Sequence, residues 1–184
     1  TNTTERLTDI DFAGNDTLFI SGTNGTLLKS TDAGTSWIGI NTGVTVRLNG
    51  VDFLNGDKGF IVGDSGTVRK TTDGGLSWTP FVISTYNNNV MDIKFRNDSI
   101  GYFAAQSIFY KTLDGGDTWY NLGQELQSVE FPTKDTGYAV GEVMRKTTDG
   151  GLTWTATHPF NYPYSNTKMF DAFFLNKDTG WASG

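Results

Sequence analysis

An eight-residue pattern recurs four times along the chain, and it constrains the fold more than any other feature. Its copies are Ser30–Trp37, Thr71–Trp78, Thr112–Trp119 and Thr147–Trp154. In each, a Ser or Thr stands two residues before an Asp, a Gly two after it, a Ser or Thr four after and a Trp five after. A Lys (Lys29, Lys70, Lys111, Lys146) stands three before the Asp. Repetition at this fidelity marks one structural part used four times.

The residue types suit a tight connection between two strands. An Asp carboxylate can accept hydrogen bonds from amides just ahead of it, and glycine takes the positive φ that closes such a turn. The Trp supplies a broad apolar face with one polar handle, fit to lie over a hairpin and seal a core edge. The expectation is that Asp32, Asp73, Asp114 and Asp149, with Trp37, Trp78, Trp119 and Trp154, are structural, and that the recurrent Lys belongs to the turn. A catalytic or metal constellation of the four Asp residues is set aside, because equivalent positions of successive repeats are spread along a repeat architecture.

A second element precedes each octet: Leu7–Phe12, Leu48–Phe53, Val90–Phe95, Leu126–Phe131 and Met169–Phe174. Apolar and polar positions alternate in it, the period of a strand with one buried face. Turn residues and a short apolar strand follow, as in Gly59–Gly63, then a third strand, the octet and a fourth strand beginning near the Trp. The Asp residues are spaced by 41 (Asp32 to Asp73), 41 (Asp73 to Asp114) and 35 (Asp114 to Asp149). A period near 40 with four strands per unit predicts an all-β chain, a β-propeller of four-stranded antiparallel blades. The 23 Gly and 14% aromatic residues agree with many short strands joined by turns. The expected blades are 5–41, 46–83, 88–123 and 124–157, with a partial blade over 168–184. The half unit predicts that these are a portion of a longer chain closing as a ring of about six to eight blades.

The octet pattern Ser/Thr-x-Asp-x-Gly-x-Ser/Thr-Trp resembles the Asp-box, or bacterial neuraminidase repeat. That repeat is shared by sialidases, xyloglucanases, sortilin-type receptors and the photosystem II stability/assembly factor family. The runs Asp135–Gly141 with Arg145–Trp154, and Gly59–Gly63 with Arg69–Trp78, most resemble the last, non-catalytic family. The resemblance implies a propeller that binds a partner rather than an enzyme, as an assembly factor or a module of a larger secreted or surface protein; the box alone serves both classes.

Composition excludes several other functions. The 14 Lys+Arg against 20 Asp+Glu leave a net charge of -6 with no basic run, which argues against nucleic acid as a partner. The absence of Cys removes disulfides, thiolate metal sites and cysteine nucleophiles. No apolar run reaches the roughly 18 residues of a spanning helix. No cofactor or metal is expected, and the location expected is extracytoplasmic: secreted, cell-surface, periplasmic or lumenal. Sequons begin at Asn2, Asn15, Asn24 and Asn97.

Recognition is expected on the variable connections from a fourth strand to the next blade, on the face opposite the octets. Spacing from a Trp to the next Phe runs 16 (Trp37 to Phe53), 17 (Trp78 to Phe95), 12 (Trp119 to Phe131) and 20 (Trp154 to Phe174). Such loops on a rigid scaffold are where binding is usually placed. Two of them mix rings with amides, and Tyr86, Asn87, Phe160, Tyr162 and Tyr164 become candidates for stacking on a sugar or anchoring a protein. The same rings could instead pack the loops onto their own blades. Arg69 and Arg145 hold one position in two third strands, either as a basic stripe for an acidic partner or paired with carboxylates. Asp9 and Asp11 share a strand face, read as solvated or turned to a neighbouring strand. No catalytic residue is assigned: His158 is the only histidine, and Arg6, Arg47, Arg69, Arg96 and Arg145 fall in no sialidase-like group. The alternative is a glycoside hydrolase, sialidase- or xyloglucanase-like, with its carboxylate pair partly outside the chain.

Overall fold

The computed structural model describes residues 3–82, 88–105, 108–122, 126–157 and 168–184. These form four four-stranded antiparallel sheets and one two-stranded sheet, and no helix. The first blade is β1 (Leu7–Phe12), β2 (Leu18–Gly22), β3 (Leu27–Ser30) and β4 (Ile38–Gly39). The second is β5 (Leu48–Phe53), β6 (Gly59–Gly63), β7 (Val68–Thr71) and β8 (Thr79–Pro80). The third is β9 (Val90–Phe95), β10 (Gly101–Ala105), β11 (Ile108–Thr112) and β12 (Tyr120–Asn121). The fourth is β13 (Leu126–Glu130), β14 (Gly137–Gly141), β15 (Met144–Thr147) and β16 (Thr155–Thr157). A hairpin, β17 (Asp171–Asn176) and β18 (Thr179–Ser183), ends the chain. Each sheet is a meander in sequence order, and the first strands β1, β5, β9, β13 and β17 pack successively against one another as the inner strands of a propeller.

The octet closes the hairpin between third and fourth strands, and its geometry is the same four times. The hydroxyl two residues before the Asp donates to its carboxylate at 2.7–2.8 Å (Ser30, Thr71, Thr112, Thr147). The hydroxyl oxygen also accepts the amide of the glycine two residues after the Asp at 2.8–2.9 Å (Gly34, Gly75, Gly116, Gly151). The carboxylate then accepts both the amide and the hydroxyl of the residue four ahead, at 2.5–2.9 Å. The Asp therefore spans the loop rather than capping the next two amides as expected, because the glycines at positive φ fold the residue four ahead back toward it. The indole N–H groups of Trp37 and Trp119 donate to the Gly34 and Gly116 carbonyls.

Each blade docks on the next through one repeated joint. A ring on the second strand (Phe19, Phe60, Tyr102, Tyr138) stacks on the Phe closing the next inner strand (Phe53, Phe95, Phe131, Phe174), with centroids 3.8–5.2 Å apart. The next octet's Trp stands across that Phe at 5.8–6.0 Å in three of these joints. The second octet glycine lies flat against the ring: a Cβ on Gly75 would sit 2.7 Å from Phe19, and one on Gly116 would sit 2.5 Å from Phe60. These rings and the inner-strand Leu, Val and Ile residues make up the buried core between blades.

The recurrent Lys is a correction to the sequence reading. It does not serve its own turn. Each lies over its own blade's second-strand ring, 5.1–5.8 Å from the centroid, and three reach the next blade's octet. Lys29 donates to the Gly74 carbonyl at 2.6 Å and Lys111 to the Gly151 carbonyl at 2.8 Å, while Lys70 pairs with Asp117. A flexible four-carbon stem carrying three donors can cover a ring and still bond beyond it.

Candidate functional site

Strand alternation puts the octets at one end of the blades and the blade-to-blade connections at the other. At the connection end, the loop between second and third strands is tied to the start of the inner strand. Thr23 donates to the Arg6 carbonyl and Asp64 to the Arg47 carbonyl, each through its amide at 2.9 Å. The Thr23 hydroxyl and Asn24 amide both donate to Glu5, holding its carboxyl below the usual range. The Ser65 amide donates to Asn89 of the following connection at 3.0 Å, so this face is fixed by its own loops.

Arg69 lies on this side of β7, and its guanidinium donates to the Gly43 carbonyl in the connection from the first blade, 3.2 Å away. Its partner is a backbone oxygen rather than a carboxylate. Arg145 occupies the matching position of β15, half-buried and two blades away, opposite Ala139 and Ala156. The structure thus places these two arginines on separate blades and does not bring them together. Tyr86, Asn87, Phe160, Tyr162 and Tyr164, like His158, lie outside the described residues.

Along the inner strands the structure gathers charged residues, of which the sequence reading took up only Asp9 and Asp11, as solvated or turned to a neighbouring strand. Of these two alternatives the second holds: Asp9 and Asp11 reach the neighbouring inner strand, accepting the amides of Val51 and Phe53 at 2.9 and 2.8 Å. Asp52 accepts the Phe95 amide at 2.8 Å and Asp92 the Val129 amide at 3.2 Å. The reason is the inner strand's free edge: its amides at these positions point away from the sheet, and a buried unpaired N–H is costly. Lys94 holds the group together, 3.1 Å from Asp52 and 3.8 Å from Asp11. Burial raises the pKa of Asp9, Asp11 and Glu130, pushes Asp52 well above the carboxylate range, and brings Asp92 to about 7. Burial opposes the Lys94 ammonium as well, yet Asp52, Asp11 and Glu130 outweigh it and hold its pKa above the ordinary lysine value. Alternation on inner strands was the available signal for this set; the partner amides about 40 residues away were not readable.

The octet carboxylates have the opposite chemistry. The hydroxyl and amide of Ser36 and of Ser77 hold Asp32 and Asp73 at about 2, and Thr118 and Thr153 hold Asp114 and Asp149 lower still. Such groups stay ionised and cannot deliver a proton near neutral pH. Among the described residues no group of three or more His, Asp or Glu is placed to hold a metal ion.

The family model described as Photosynthesis system II assembly factor YCF48 matches residues 1–86. No curated protein sequence matches the chain. Among solved structures, YCF48 bound to D1 peptide is 16% identical with a TM-score of 0.60, covering 98% of this chain and 91% of that one. YCF48 from Cyanidioschyzon merolae is 15% identical with a TM-score of 0.59, covering 99% and 94%. An ancestral GH74 enzyme is 20% identical with a TM-score of 0.71, covering 85% of this chain and 25% of that one. The resemblance carried by the octets is therefore borne out: the chain has the β-propeller fold, and its residues 1–86 match the BNR repeat of the photosystem II assembly factors.

Proposed function

We propose that this chain is a non-enzymatic scaffold that binds a segment of a partner protein on its connection face, outside the cytoplasm, in the manner of an assembly factor. The observation that carries the reading is the match of residues 1–86 to the assembly-factor repeat, joined to a full-length likeness to YCF48 bound to D1 peptide. The local chemistry supports it. The repeated carboxylates hold the octets and the inner-strand edges, which is structural work, while the connections vary in length and carry Tyr86, Asn87, Phe160, Tyr162 and Tyr164, with Arg69 and Arg145 on third strands of the second and fourth blades.

The test is site-directed photocrosslinking in extract of the native source. A crosslinker replacing Tyr164 or Arg69 should capture a discrete protein, and one replacing Leu76 on the octet face should not. Capture from the octet face alone would overturn the assignment of faces. Retention of a glycan, with no protein captured, would put a sugar in the partner's place.

The likeness to the GH74 enzyme keeps a glycoside hydrolase as the second reading. It requires two carboxyl groups roughly 5 to 9.5 Å apart across a sugar-binding cleft. Release of reducing sugar from β-glucans or sialosides, abolished by substituting one such carboxylate, would establish it.

A further inference from the structure

The inner strands bring an unequal set of charges face to face. β1 contributes Asp9 and Asp11, β5 Asp52, β9 Asp92 and Lys94, and β13 Glu130, while Asp171 of β17 adds its charge beside Glu130. The second strands packed behind them, β2, β6, β10 and β14, carry no charged residue, and neither does β18. Lys94 is the one cation of the group among the described residues, and at 3.1 Å from Asp52 and 3.8 Å from Asp11 it serves the first two blades. Asp9, Asp92 and Glu130 form no ion pair among the described residues.

Asp9 and Asp92 each straddle two strands. One carboxylate oxygen accepts the next amide of its own strand, Ile10 or Ile93, at 2.8 Å, and the other accepts an amide of the neighbouring inner strand, Val51 at 2.9 Å or Val129 at 3.2 Å. Burial and the like charges of the group disfavour the ionised form, for Asp92 with Asp9 as the first of those charges. Protonation removes that cost and keeps the bridge, since a carboxylic acid still has lone pairs for both amides. The bridges also lie just below the connection face: Arg6 and Arg47, whose carbonyls hold the Thr23 and Asp64 amides at 2.9 Å, each stand one residue before an inner strand.

We propose that this cluster is a proton-operated latch between blades: protons on its surplus carboxyls hold the inner strands together, and a rise in pH past neutrality parts them at the Asp9–Val51 and Asp92–Val129 bridges and loosens the connection face. The closed latch holds protons that an opened one, with its carboxyls in water, releases, so closure weakens as pH rises. Asp92, brought to about 7, alone costs the closed state about tenfold in its equilibrium between pH 6 and 8, and Asp9, Asp11, Asp52 and Glu130 are raised in the same direction. The octet carboxylates, held at about 2 or lower, stay ionised throughout that range and add nothing to its slope.

Amide hydrogen exchange between pH 6 and 8, corrected for the intrinsic rate, tests this. Protection at Val51 and Val129 should fall about tenfold, while Ile61 and Ala139, paired by strands on both sides, keep theirs. Asp9→Asn combined with Asp92→Asn keeps one acceptor at each place without the charge; whatever its baseline, its protection should not change over this range. Asp73→Asn, in an octet, should show the same fall as the parent. Carbon-13 titration of the carboxyls needs no substitution, and at least one inner-strand acid should titrate above pH 6. Constant protection at Val51 and Val129, an equal fall at Ile61 and Ala139, a fall that survives in the double variant, or every inner-strand acid titrating below pH 6 would overturn the proposal.

Discussion

Asp73 receives a hydroxyl on one side and an amide and a hydroxyl on the other, and none of the three donors can be replaced by water without opening the loop. Its pKa of about 2 lies below that of an unfolded Asp, so the stability it contributes is present above about pH 4 and is lost as pH falls through 2. Asp73→Asn should lower the melting temperature at pH 7 and flatten its decline between pH 4 and 2, read by calorimetry. The neighbouring glycine is limited by space as well as by φ. At Gly75 the φ of 80° strains any L side chain, and the Phe19 ring lies where a Cβ would go. Gly75→Ala should cost about 2–4 kcal/mol in chemical denaturation, the sum of a left-handed backbone penalty and an overpacked joint. The first octet shows the converse. Ala33 sits at a φ of 54° where the other octets have glycine, and Ala33→Gly should gain about 0.5 kcal/mol after the entropy of the unfolded glycine is counted.

Inner strands had to solve a problem the rest of each blade does not have, since one of their edges meets no strand. Carboxylates of the preceding blade take up those amides, and the enclosure that results puts acids in an unfavourable setting. Asp92, at about 7, shows the sign of the effect. Its folded pKa lies above the unfolded value, so its favourable share is complete below about pH 4 and is lost as pH rises through 7. Asp92→Asn keeps an acceptor for the Val129 amide without the charge. It should equal the parent in stability near pH 4 and exceed it at pH 8, by denaturant midpoint. Lys94 is the cation that opposes the burial penalty on Asp11 and Asp52, and removing it leaves both carboxyls enclosed without an opposite charge; Lys94→Met should lower the denaturant midpoint at neutral pH. Strands, turns and repeat length were legible because each depends on residues a few positions apart: alternation in Leu48–Phe53, or glycine two after each Asp. The Asp9 and Lys29 contacts were not, because their partners Val51 and Gly74 lie 42 and 45 residues on, in the next blade. The candidate site was legible only as a face, since connections that vary in length repeat nothing that could be aligned.

A propeller arc is nearly one-dimensional: each blade touches only its neighbours, so stability is a sum of blade terms and joint terms. The lysines sample the joint terms separately. Lys111 is buried, lies over Tyr102 and donates to the Gly151 carbonyl of the fourth blade, whereas Lys146 lies over Tyr138 with no next octet among the described residues. Met in place of either keeps the apolar stem over the ring. Lys111→Met should then cost about 2 kcal/mol, the worth of a charged donor on a buried carbonyl, and Lys146→Met much less. Hydrogen exchange locates the loss: in Lys111→Met, protection should fall in β13–β16 and the flanking third blade while the first two blades hold theirs, because their joints are untouched. Equal losses in the two variants, or a uniform fall across all blades, would mean that the blades respond as one cooperative body and that the lysine bridges are not what joins blade to blade.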